Sequence, residues 1–205
     1  MLFRSGATSL YASAISSPTG VVKVGSTLYV LSSANNTLSA IDTTTGELAT
    51  LARGFSNPLG LVYDDVRNCF YVSNQDNGTI ARVDRASGTV TTILTGASQA
   101  AGLAYRSGVL YFRSGANVVG FDVTNGALVG QTGDAAGSGL VTYSTIMGGN
   151  RGFARDVSGG PFNNCFYIAS GNNRVLRVRG ETGSGGYGSA SAGNYVQVFR
   201  DASND

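Results

Sequence analysis

Histidine is absent from all 205 residues. With it go the commonest general base, the usual partner of a nucleophilic serine and the imidazole metal ligand. Serine hydrolysis through a histidine and histidine-ligated lyase chemistry are therefore excluded for this segment. Glutamate is nearly as scarce: Glu47 and Glu181 stand alone, both in turns between apolar runs. Lysine is represented by Lys23 only, and the net charge of +2 is too small to argue for nucleic acid or a membrane surface. Charged residues make up 13% of the chain, little for a solvated helical protein.

Long apolar runs are missing too. None approaches the roughly eighteen residues needed to span a membrane as a helix. The opening MLFRSGATSL has no basic start followed by an apolar core, so it does not read as a signal peptide. Met1 leads straight into what reads as the middle of a repeat, and the chain is expected to be a piece of something longer. Glycine-rich stretches fall between strands rather than ahead of helices, so no phosphate-cradling loop is predicted. The two cysteines, Cys69 and Cys165, occupy equivalent places in copies that are not adjacent. A disulfide needs Cα atoms within about 7 Å, so both are expected to be small buried hydrophobes.

What the chain does have is turns and short β-forming runs. Pro58–Gly96 contains four: Leu61–Tyr63, Cys69–Ser73, Thr79–Val83 and Thr89–Leu94. They are separated by Asp64-Asp65, Asn77-Gly78 and Ser87-Gly88. Val-, Ile-, Thr-, Tyr- and Phe-rich runs cut by Asn, Asp and Gly predict an antiparallel meander. No apolar pattern of period 3.6 persists beyond about two helical turns, so no long helix is predicted.

The meander recurs. Gly20, Gly60, Gly102 and Gly152 each precede an apolar pair, at spacings of 40, 42 and 50. An aromatic strand follows each one: Leu28–Val30, Phe70–Val72, Leu110–Phe112 and Phe166–Ile168. Then comes a hairpin in which Asp leads to Gly: Asp42 to Gly46, Asp84 to Gly88, Asp122 to Gly126. Arg179 stands where the fourth Asp is expected. The carboxylate is predicted to accept backbone N–H groups two or three residues ahead, while the glycine supplies a positive φ. These three carboxylates are read as turn chemistry, not as a ligand set.

Three landmarks in one order predict blades at residues 18–57, 58–99, 100–149 and 150–200, with a partial blade at 1–13. The aromatic strands alternate poorly, as strands buried on both faces do. A meander cannot bury two faces alone, but radial stacking can, so the expected fold is an all-β propeller forming a single domain over 1–205. Thr132–Asn150 and the Gly/Ser-rich Gly180–Gly193, with Tyr187 near its middle, interrupt the period as loops.

Leu28–Gly54, LYVLSSANNTLSAIDTTTGELATLARG, resembles the blade repeat of YVTN-type propellers, and Phe166–Val178, FYIASGNNRVLRV, resembles the NHL repeat. Ser170 departs from the Asp usual in the latter. The resemblance spans roughly residues 18 to 199. It implies six or seven blades, so this segment of four to five is expected to belong to a six-bladed propeller. Gluconolactonase-like propellers in that broad group hold a divalent ion with carboxylates and Asn. With only Glu47 and Glu181 available, no such set is assembled and no cofactor or metal is expected.

Asn35-Asn36-Thr37 and Asn77-Gly78-Thr79 are N-glycosylation sequons at equivalent turns of successive copies. They make Asn35 and Asn77 the candidate modification sites. The expected function is a non-catalytic structural or protein/glycan interaction module of an extracellular or cell-surface glycoprotein or assembly. The alternative is an enzyme of gluconolactonase or lyase type whose catalytic residues lie outside the segment. Arg174, Arg177 and Arg179 raise RNA binding as a weaker reading, but they also read as one solvated strand face. Tyr195–Phe199 alternates apolar and polar residues as an outer strand does. It suits the strand that Met1–Ser13 lacks, within one molecule or between neighbours, and pairing between neighbours predicts self-association through the open ends of the propeller.

Overall fold

The structure, a computed structural model, describes residues 14–106, 108–114, 117–129, 140–142, 153–155, 166–170, 174–178 and 195–200. These residues hold strands and turns and no helix. Four antiparallel sheets follow one another along the chain. The first is β1 (Pro18–Val24), β2 (Thr27–Ser32), β3 (Thr37–Asp42) and β4 (Leu48–Arg53). The second is β5 (Pro58–Asp64), β6 (Cys69–Asn74), β7 (Thr79–Asp84) and β8 (Val90–Leu94). The third is β9 (Ala101–Arg106), β10 (Val109–Ser114), β11 (Asn117–Asp122) and β12 (Ala127–Val129), with β13 (Leu140–Thr142). The fourth is β14 (Phe153–Arg155), β15 (Phe166–Ser170), β16 (Arg174–Val178) and β17 (Tyr195–Arg200).

Each sheet is a meander in sequence order, and the innermost strands pack against one another: β1 on β5, β5 on β9, β9 on β14. This is blade-on-blade propeller packing. The four blades do not close into a complete ring. Part of the expected loop 132–150 is strand: β13 pairs with Asn117–Val119 of β11 while β12 pairs with Gly120–Asp122, so two short segments share the outer edge of the third blade. Tyr195–Arg200 is the outer strand of the fourth blade, paired with β16. The partial blade Met1–Ser13, Gly152, Arg179 and the loop Gly180–Gly193 lie outside the described residues.

Among the described residues, the second strands of the first three blades carry much of the core, and β6 is buried on both faces as poor alternation predicted. Every residue of β6 is buried, and Phe70 packs between Tyr29 and Tyr63 at ring-centroid distances of 4.4 and 5.3 Å. One cluster, around Leu31, Leu38, Phe70 and Val83, fills the junction of blades one and two; a second, around Tyr71, Ile80, Leu110 and Phe112, fills that of blades two and three. Cys69 is free and belongs to the second cluster; Cys165 lies outside the described residues.

The repeating glycine has a reason that periodicity alone does not show. Ladder register shifts between Pro18 and Val21 on β1, and between Pro58 and Gly60 on β5, so a bulge recurs at this landmark. At Gly60 a Cβ would stand 2.7 Å from Ser73 Oγ and 2.9 Å from Leu103 of the next blade. Inner strands meet here too closely for a side chain. The hairpins follow the expected chemistry. Asp42 accepts the N–H of Thr44 and Thr45, Asp84 those of Ala86 and Ser87, and Asp122 that of Thr124. Gly46, Gly88 and Gly126 have φ of 75°, 71° and 72°.

Candidate functional site

The meander puts two kinds of loop at each end of a blade. One end carries the β2–β3 and β6–β7 turns together with the connections that lead into the next blade. Three of those connections reach the same left-handed residue: Ser17, Asn57 and Gln99, at φ of 48°, 49° and 52°. Asn57 ties the first two blades together. Its N–H donates to Asn36 Oδ1 at 2.9 Å, its carbonyl accepts Gln75 N–H at 3.1 Å, and its Nδ2 donates to Gln75 Oε1 and Asp76 Oδ1 at 3.1 and 2.9 Å. Asn74, buried beneath, accepts Ser56 N–H at 3.1 Å. The result is a belt of polar side chains held partly by backbone N–H groups and partly by one another.

An open groove of about 310 Å³ continues this belt at the junction of blades two and three. Gln75, Asp76, Asn77 and Gly78 of the β6–β7 turn form one wall, and Gly96, Ser98 and Gln99 form the other. Ala97 N–H donates to Gly78 carbonyl at 2.8 Å and joins the walls at the base. Among the described residues, Asp76 is the only ionisable side chain in the lining, and no aromatic ring contributes.

The sequon residues Asn35 and Asn77 sit exposed on equivalent turns at this end. Thr79 Oγ1 donates to Asn77 Oδ1 at 2.9 Å, while Thr37 is buried. The two asparagines occupy separate turns of neighbouring blades. Glu47 is exposed in the β3–β4 hairpin; Glu181 lies outside the described residues. Among the described residues no three His, Cys, Asp or Glu side chains come together. The side chains of Arg174 and Arg177 on β16, and Arg179 and Tyr187, lie outside the described residues.

The opposite end holds residues that sequence reasoning passed over. Asp64, read as a turn residue, does accept the N–H groups of Val66 and Arg67, but it is also fully buried. The reason is that it closes a polar cluster beneath the turn: Arg67 Nη1 lies 3.1 Å from Oδ2, and Tyr71 Oη donates to the same oxygen at 3.1 Å. Arg67 then crosses to blade three, donating to Tyr105 Oη at 3.0 Å and Thr124 Oγ1 at 2.7 Å. Burial pushes the Asp64 carboxyl up, but hydrogen bonds with Tyr105, Arg67 and Tyr71 outweigh it and hold the group below its ordinary value. Burial, then Asp64, pushes Tyr105 up to about 12. At neutral pH the carboxylate stays charged and the phenols protonated, which suits a staple between blades. Arg85 makes the matching link back to blade one, donating to Tyr29 Oη at 2.9 Å and lying 5.7 Å over that ring.

A family model described as outer membrane protein assembly factor BamB matches residues 13–201. The chain belongs to this family. No curated protein sequence matches significantly. Among solved structures, BamB-type repeats of this chain are similar in fold to streptogramin B lyase (TM-score 0.65, 11% identity, covering 93% of this chain and 56% of that one). A nidogen/laminin complex gives 0.64 at 15% identity over 81% and 60%. An auxiliary nutrient binding protein from Bacteroides thetaiotaomicron gives 0.65 at 17% over 89% and 42%. At these identities the likeness establishes the propeller fold. The chain spans between 42% and 60% of the lengths of these three proteins.

Proposed function

We propose that the chain is a non-catalytic interaction module, an NHL/YVTN-like member of the BamB family, that holds a protein or glycan partner on its amide-bearing end. The observation that carries this reading is the Asn57 bridge to Gln75 and Asp76. It fixes polar side chains at the surface before any partner arrives, which reduces the ordering cost of binding. A sequence without histidine supports a binding role over acid–base catalysis. The family description names an assembly factor of the outer membrane, which supports a place at the cell surface or outside the cell. No helix among the described residues is long and apolar enough to cross a membrane, a statement that leaves β-barrels aside. Glycans on Asn35 and Asn77, and self-association through the open propeller ends, belong to the same reading.

Site-directed photo-crosslinking tests it. A photoreactive residue at exposed Gln99 is expected to give one discrete adduct in the native host, and one at Val66, exposed on the opposite end, is expected to give none. Equal adducts from both positions, or none from Gln99, would overturn it. A second reading, an enzyme of gluconolactonase or lyase type with catalytic residues beyond this segment, draws on the likeness in fold to streptogramin B lyase.

A further inference from the structure

We infer that the groove between the second and third blades is a binding site for a neutral saccharide of one or two rings. This rests on the reading of the amide-bearing end as the interacting surface and names a ligand class for one place on it.

The inference starts from a comparison of the chain with itself. The connection Gly54–Pro58 and the connection Gly96–Ala100 are equal in length and 42 residues apart, as are the turns 33–36 and 75–78. In the first junction the turn ends in Asn36, whose Oδ1 caps Asn57 N–H, and the connection buries Phe55. In the second, the corresponding residues are Gly78 and Ala97. Gly78 stands in the wall of the groove of about 310 Å³ without the side chain that Asn36 carries, while Phe55 and Ala97 are both buried in the cores of their own junctions. That volume lies at the small end of the range for ligand pockets, about 300–1,000 Å³.

The lining selects the chemistry. Gln75 and Gln99 each carry an amide donor and acceptor, Ser98 a hydroxyl, and Asp76 a carboxylate. Side-by-side donors and acceptors match vicinal hydroxyls, each of which gives one hydrogen bond and accepts others. Among the described residues no cation lines the groove, so an anionic ligand would meet Asp76 without compensation. Without aromatic or aliphatic walls, a flat apolar ligand would strand the amides unpaired. The walls are set in advance: Asn57 holds Gln75 and Asp76 from the first blade, and the hydrogen bond from Ala97 to Gly78 holds the far side.

The test uses the full chain made in a bacterial cytoplasm, where Asn77 carries no glycan over the groove. Maltose, cellobiose, lactose and N,N′-diacetylchitobiose are each examined by saturation-transfer NMR, and any that responds is titrated by calorimetry. Transfer to at least one is expected. Gly78→Asn places the side chain of the first junction at a left-handed position like that of Asn36 at φ 52°, with a Cβ that meets the Ala97 carbonyl oxygen at 3.0 Å, so that backbone must give slightly. It is expected to weaken binding about tenfold or more. Gln75→Ala leaves the backbone unchanged and is expected to weaken it about tenfold by removing one amide. No transfer to any of the four sugars, or an affinity unchanged in both folded variants, would overturn the inference. If the sugars fail while the Gln99 adduct persists, only this inference falls; if the adduct fails as well, the reading beneath it falls too.

Discussion

Asp64 shows how one side chain can serve two levels of structure. Its Oδ1 accepts two turn N–H groups while Oδ2 meets Arg67 and Tyr71, so one buried carboxylate holds a turn and a blade junction together. Its folded-state pKa is depressed, so the stabilisation is present above the unfolded value of 3.8 and is lost as pH falls through the folded value. Asp64→Asn is expected to cost about 2 kcal/mol in urea unfolding at neutral pH. The gap from wild type should narrow on acidification, and a gap independent of pH would refute the assignment. The half-buried hairpin aspartates are also held low, chiefly by the backbone N–H groups of Thr45, Ser87 and Thr124. At the same scale, Asn35 and Asn77 are expected to carry sugar after passage through a eukaryotic secretory pathway. Intact mass before and after glycosidase checks this, and an unshifted mass would rule it out.

At the scale of the strand, the recurrent glycine decides how tightly blades pack. Gly60→Ala drives a Cβ against Ser73 Oγ and against the Leu103 backbone N at 3.0 Å, so β5 and β9 must part. A cost of about 2 kcal/mol is expected, as for other overpacked sites. Gly46→Ala is the comparison. Its Cβ meets open space, and only the strain of φ 75° opposes it, for about 1 kcal/mol. Thermal unfolding of the two variants measures the difference. If Gly60→Ala is the milder, close approach is not what this landmark preserves.

For the whole molecule, blade junctions rather than single sheets supply the core. The second strand β6 is covered from both sides only because neighbouring blades stack, with Phe70 and Val72 in the junction with the first blade and Cys69 and Tyr71 in the junction with the third. Far-UV circular dichroism is expected to show a β spectrum without the helical double minimum, and a substantial helical signal would contradict the all-β architecture. Isolated blades should not fold, because a meander alone leaves both apolar faces in water. A two-blade fragment covering 14–99 that unfolds cooperatively would show that one junction suffices.

Much of the architecture was legible because it rests on local chemistry repeated along the chain. Asp-to-Gly hairpins, aromatic strands without alternation and turn asparagines each act within a few residues, and their common period of about forty residues identifies stacked blades. Asn35 and Asn77 could be placed on exposed turns for the same reason. What the sequence could not disclose lies across junctions. That Asn57 reaches Gln75 and Asp76, that Arg67 reaches Tyr105 and Thr124, and that Asp64 is buried under its own turn all depend on how one blade is set against the next. The groove depends on this setting as well. In the sequence Gly78 reads only as a turn residue, and only the stacking of the second blade on the third makes it part of a groove wall.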